Sequence, residues 1–219
     1  MPVDPQGDAI HSSVGYRDPR TEQIAATAAQ LLATGVADGV GPAVRLAAER
    51  LGLRHVQQPG FGRVRQHLQA MSMAAVGQKA YDADVRRILG VAEEVMTVLD
   101  GHVEHVGLLL SGRAAAGCVD GGGALHIRIY TREPVSGIAA VFVEFGYDEP
   151  RFSTVESRLG RLGCVTLQDG DVEAAVTRCV PDMIASAREN LFSGHPVRSV
   201  DLAGLRSMLA RMARDAASP

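Results

Sequence analysis

Along the first hundred residues, apolar side chains return every three to four positions, the period of a helix with one buried face. Ile24, Ala28, Leu31 and Leu32 form the first such stripe. Asp18 and Pro19 supply a cap and a first-turn proline at its start, and Gly35 a stop. A second stripe holds Val44, Ala47, Ala48 and Leu51, opened by Gly41 and Pro42 and closed by Gly52. Residues 57–60, Gln-Gln-Pro-Gly, read as a turn. A third helix is predicted over 62–76, with Val64, Leu68 and Met71. A fourth, over 81–99, has the clearest period: Val85, Ile88, Leu89, Ala92, Val95, Met96 and Leu99.

Beyond residue 100 the pattern changes. Residues 106–110 form a short apolar run that ends at Ser111 and Gly112, the mark of a buried strand. A loop of small residues follows over 114–123. Residues 125–130, Leu-His-Ile-Arg-Ile-Tyr, alternate as a strand does. Residues 134–145 fit two periods, a helix through Val135, Ile138, Val141, Phe142 and Phe145 or a strand over 141–145. Strands are predicted over 151–159, 164–167 and 171–180, with turns at Gly160 and at Asp169-Gly170. A last helix carries Leu202, Leu205, Met208, Leu209 and Met212 on one face, with residues 199–201 as its cap. The predicted fold class is α+β. A helical region over 18–80 precedes an α+β domain over 81–219 with a mixed or antiparallel sheet and a C-terminal helix. Residues 1–17 are expected to be a disordered tail.

Composition narrows this picture. Of 219 residues 46% are hydrophobic but only 4% aromatic, so the core must be built from Ala, Val, Leu, Ile and Met. The formal net charge of -3 gives no overall pull toward nucleic acid or membrane. No apolar run reaches the roughly 20 residues of a membrane span. The first residues have no hydrophobic stretch of the kind a secretory signal needs, and the chain reads as cytoplasmic. Cys118, Cys164 and Cys179 fit neither a disulfide framework nor a zinc pattern and read as reduced structural thiols.

Three groups of residues carry candidate chemistry. Ala47 to Leu53, followed by Val64 to Leu68, has the outline of a DNA-reading helix pair, with Arg54, His55, Arg63, Arg65 and His67 as its basic face. The link between them is longer than the turn of about 3–4 residues that a tight motif needs, so DNA binding is the alternative and a plain helical bundle is favoured. His102, Glu104 and His105 make an incomplete set of metal ligands, and no cofactor is indicated. The third group lies on the strand pair. A strand, a glycine turn and a second alternating strand open the nucleotidyltransferase fold. There, two carboxylates at i and i+2 share one strand face and hold a divalent metal. Here those positions are His126 and Arg128, which offer no oxygen ligands, and Glu173 stands at a possible third-acid position.

The order of five segments makes the likeness more specific. They are residues 47–52 (Ala-Ala-Glu-Arg-Leu-Gly), 106–112, 124–130, 171–174 and 194–198 (Gly-His-Pro-Val-Arg). From Arg20 to about Leu209 the chain resembles an uncharacterised bacterial protein family that itself resembles a nucleotidyltransferase core without its paired acids. The resemblance implies a fold and not a reaction. It leads to the expectation of a divergent, non-catalytic nucleotidyltransferase-like protein. Such a protein would bind a nucleotide or another phosphorylated ligand through Ser111, Gly112, Arg113, His126 and Arg128. Two readings of that face remain open, an anion site and an ordinary solvated sheet face. An interaction or assembly role without a small ligand is the third alternative.

Overall fold

The computed structural model describes residues 18–119 and 124–217. The expected tail over 1–17, and the glycine-rich loop with Asp120, lie outside the described residues. The chain forms two compact units, Met1–Leu68 and Gln69–Pro219.

The first unit contains α1 (Pro19–Ala33), α2 (Val40–Arg50) and the start of α3 (Phe61–Val76). Asp18 caps α1, its Oδ1 accepting the Arg20 N–H at 2.9 Å. The stripes Ile24, Ala25, Ala28, Ala29 of α1 and Ala43, Val44, Ala47, Ala48 of α2 are buried. Alanine at so many buried positions lets the helix backbones pack closely. Gly35 and Gly52 follow the two helices at φ +68°, a conformation other residues adopt at a cost.

The second unit begins in α3 and continues through α4 (Gln78–His102), β1 (Gly107–Ser111), β2 (Leu125–Tyr130) and α5 (Val135–Glu144). It then runs through β3 (Arg151–Ser157), β4 (Gly160–Asp169), β5 (Val172–Cys179), β6 (Ser199–Val200) and α6 (Leu202–Ala217). The strands make one mixed sheet in the order β3-β4-β5-β2-β1-β6. All neighbours are antiparallel except β2 and β5, which are parallel. The two-period segment 134–145 is resolved as helix. Ile138, Ala139 and Phe142 are buried, at the i, i+1, i+4 spacing of a helix face, whereas Val143 and Phe145 are exposed. Ser199 and Val200, expected as part of a helix cap, form β6 instead. Asp201 alone caps α6, through its Oδ1 and the Gly204 N–H at 2.8 Å.

The sheet has two unlike faces. On one, Leu108, Leu110, Leu125, Ile127, Ile129, Val165, Leu167 and Val176 join residues of α4, α5 and α6 in the main core. The other face is covered only in part. Residues 181–198, opening with a 3-10 turn at Pro181–Ser186, cross it and enclose a smaller cluster of Tyr130, Leu162, Cys179, Ala187 and Leu191.

Candidate functional site

Cross-strand register places the side chains of the outer face in rows, because opposed residues in a sheet share a side. One row runs Ser199, Ser111, His126, Ala175, Thr166, Arg151 through β6, β1, β2, β5, β4 and β3. The next runs Leu109, Arg128, Thr177, Cys164, Ser153. The first row is polar and has short side chains apart from His126 and Arg151, both of which are exposed. The second row is buried from Arg128 to Cys164, with the covering segment packed nearby.

That difference divides the predicted site residues. His126 stands in solvent beside the Ser111 turn, in register with Ser111. Arg128 is only 6% exposed. Its Nη1 donates to the carbonyls of Glu189 at 2.7 Å and Ala187 at 3.3 Å. The expectation of Arg128 on a solvated or ligand-facing surface therefore gives way to a buried strut that holds the covering segment to the sheet. Beneath it, burial pushes the Cys179 thiol up to about 11, against the opposing pull of Arg128. Burial likewise raises the Tyr130 phenol above its ordinary value.

The turn after β1 is also engaged. Gly112 takes φ +85° and its N–H donates to the Arg198 carbonyl at 2.8 Å, so this amide is occupied within the chain. Arg113 Nη2 donates to Gln69 Oε1 at 3.0 Å. Ser111 is buried, with its Oγ 3.5 Å from Ser199 Oγ. Arg198 is exposed and immediately precedes the first member of the polar row. The sequence shows Arg198 only as the end of its Gly-His-Pro-Val-Arg segment; its backbone lies opposite Gly112, one residue before the polar row begins at Ser199. Glu173 lies on β5, the strand beside β2, yet Ala175 is the residue opposite His126. The Glu173 carboxylate accepts from Arg151 Nη2 at 2.8 Å.

The other two groups are arranged differently from a working site. Arg63 Nε donates to both Glu22 oxygens, at 2.8 and 2.9 Å, and His67 Nε2 lies 3.1 Å from the same carboxylate. Arg63 and His67 of the DNA alternative are thus committed to α1, Arg54 pairs with Glu49 of α2, and Arg65 is half-buried. Arg63, then His67, hold the Glu22 carboxyl below its usual range through these hydrogen bonds. His102 stacks at a tilt on Phe145, with ring centres 4.5 Å apart, and His105 pairs with Asp100 at 3.3 Å, so the two histidines do not converge. Among the described residues no three His, Cys, Asp or Glu side chains are placed to hold a metal ion. Cys118, Cys164 and Cys179 are free thiols.

Cavities lie elsewhere in the second unit. One of about 550 Å³ opens between Lys79, Asp82 and Arg86 of α4 and Met212 and Asp215 of α6. A second, of about 370 Å³, lies by Glu104, His105, Tyr130 and Arg132. A third, of about 550 Å³, lies by Asp100, His105, Asp201 and Arg206. None of the three is lined by Ser111, His126 or Arg198. With His126 and Arg151 exposed, the polar row forms a shelf on the sheet surface. No helix among the described residues is long and apolar enough to cross a membrane. No protein-family model matches the chain, and a search of curated proteins finds no significant relative. The class that fold and surface define is an α+β protein with a six-stranded mixed sheet, helices on one face and a polar row on the other.

Proposed function

We propose that this chain is a non-catalytic, nucleotidyltransferase-like protein that binds a nucleotide or another phosphorylated small molecule on the polar row of its outer sheet face. The observation that carries this reading is the alignment of exposed His126 and half-buried Ser199 on either side of buried Ser111, with exposed Arg198 next to Ser199 in the chain. Hydroxyls, an imidazole and a guanidinium are donors suited to phosphate oxygens. Ala175 and the serines keep the floor low enough for a ligand to lie across the strands. Arg128 supports the shelf from within and is not a ligand. The row holds no carboxylate pair for a catalytic Mg²⁺, so the proposed role is binding.

Calorimetry with ATP and with pyrophosphate, each with and without Mg²⁺, tests the reading. Binding is expected, and His126→Ala and Arg198→Ala should each weaken it. A charge-assisted hydrogen bond is worth about 1.5–3 kcal/mol, which corresponds to roughly tenfold or more in affinity. Absence of binding by both probes, or binding indifferent to both substitutions, would remove the site.

A further inference from the structure

β3 is the outermost strand of the sheet. It is seven residues long, pairs with β4 one for one from Arg151 to Ser157, and has no proline, lysine or bulge of the kind that blunts an exposed edge. Every one of its residues is at least partly exposed. The opposite edge, β6, has two residues and leads at once into α6. On the helix-bearing face the row Leu110, Ile127, Val176, Val165 is fully buried and continues to Phe152 on β3, which is 61% exposed. The core row thus runs to an unpaired edge and ends in an aromatic side chain in solvent.

The hydrogen-bonding phase of that edge follows from the hairpin. β3 and β4 are joined by a two-residue loop, Arg158 and Leu159, with Ser157 opposite Gly160. The pair that closes such a hairpin is a hydrogen-bonded pair, and the phase alternates along the strand. Ser157, Val155, Ser153 and Arg151 therefore turn their backbone groups toward β4. Phe152, Thr154 and Glu156 turn theirs to the open side.

We propose that β3 is a docking edge for a second copy of this chain, the two β3 strands pairing antiparallel about a two-fold axis at Thr154. The outward set, 152, 154 and 156, is symmetric about the middle residue of the strand, so a copy of β3 satisfies it in full overlap with about six backbone hydrogen bonds. In that register Thr154 meets Thr154 of the second copy, a favourable cross-strand pair. Arg151 faces Ser157 and Glu156 faces Phe152, so no like charges oppose each other. Both helix-bearing faces stay on one side, and Phe152 lies against Glu156 and, diagonally, Thr154 of the second copy. Any extended peptide can supply the backbone pattern; a second copy also supplies the Thr154 pair and leaves no like charges opposed.

Sedimentation velocity on the full chain, from low micromolar concentration upward, should show a concentration-dependent dimer. Thr154→Lys, which sets two like charges across the axis, should weaken it at least tenfold while the circular dichroism of the monomer is unchanged. Should that variant fold poorly, Thr154→Cys in a Cys118→Ser background gives the second measurement. Cα atoms of a hydrogen-bonded antiparallel pair lie about 5.5 Å apart, so a short bis-maleimide that spans the two thiols should yield a crosslinked dimer. A chain that stays monomeric throughout, a dimer insensitive to Thr154→Lys, or failure of the Thr154→Cys variant to crosslink would each overturn the proposal.

Discussion

Arg128 donates to two carbonyls of the segment that crosses the outer sheet face, and it is the one cation on β2. Replacing it with methionine keeps much of the side-chain volume but leaves those carbonyls without their buried donor. Hydrogen bonds to a charged group are worth about 1.5–3 kcal/mol, so Arg128→Met should lower stability by about 3 kcal/mol, read from the urea midpoint. Arg128→Lys should recover only part, because a single ammonium lacks the planar fork. Alternation along residues 125–130 was enough to put Arg128 on the side opposite Ile127 and Ile129. It carried no sign that this side is covered. The cover comes from residues 181–198, a stretch of irregular backbone with no period to read, and its contact with Arg128 is long-range. His126 lies on the same side of the same strand but beyond the cover, and its exposure was equally outside what local pattern can tell.

At the scale of elements, the seat of α5 on the sheet depends on one missing side chain. A Cβ placed on Gly163 of β4 would fall on the Val135 side chain at the start of α5. Gly163→Ala should therefore overpack this contact and cost about 1–3 kcal/mol. Adding Val135→Ala should recover most of the loss in a thermal melt, a non-additivity expected only of residues in contact. Gly107→Ala is the contrasting case, since the nearest atom, at 2.5 Å, is the terminal methyl of Ile184, a flexible side chain of which 39% is exposed. That substitution should cost less. Helices with one clean apolar stripe, α1, α2 and α4, were legible because burial there follows the local period. α5 was not decided by the sequence, since Val141, Phe142, Val143 and Phe145 satisfy a helix and a strand together. β6 was missed because two residues carry no period, and Asp201 nearby is a sound cap in its own right.

At the scale of the whole molecule, each compact unit carries a carboxylate that an arginine holds below its ordinary range, Glu22 in the first and Asp171 in the second. In the first, Glu22 ties α1 to Arg63 and His67 of α3, and its carboxyl is held below the ordinary value of 4.5 by these bonds. A carboxylate with a lowered folded-state pKa contributes stability that is present above its unfolded value and lost as pH falls through the folded one. Helical signal of the first unit should therefore melt at lower temperature below about pH 4 than at pH 7. Glu22→Gln should shrink that difference, while leaving less stability at neutral pH. The contribution is a small one, because the pair is partly exposed and screened. An acid melt identical for wild type and Glu22→Gln would show that the contact does not couple to folding.

The single parallel pairing in the sheet, β2 with β5, also sets an order of events during synthesis. As the chain leaves the ribosome, β1 and β2 emerge early and can pair as neighbours, but the strand that closes the other side of β2 has not yet been made. Between them come α5 and the whole β3–β4 hairpin. For that interval Ile127 and Ile129, which end up fully buried, belong to an open edge. A nascent chain with residues up to 157 outside the ribosome would thus expose the open edge of β2 and an unpaired β3 together, whereas one with residues up to 179 outside could already hold five of its six strands. Slow translation between those points is where misassembly should concentrate.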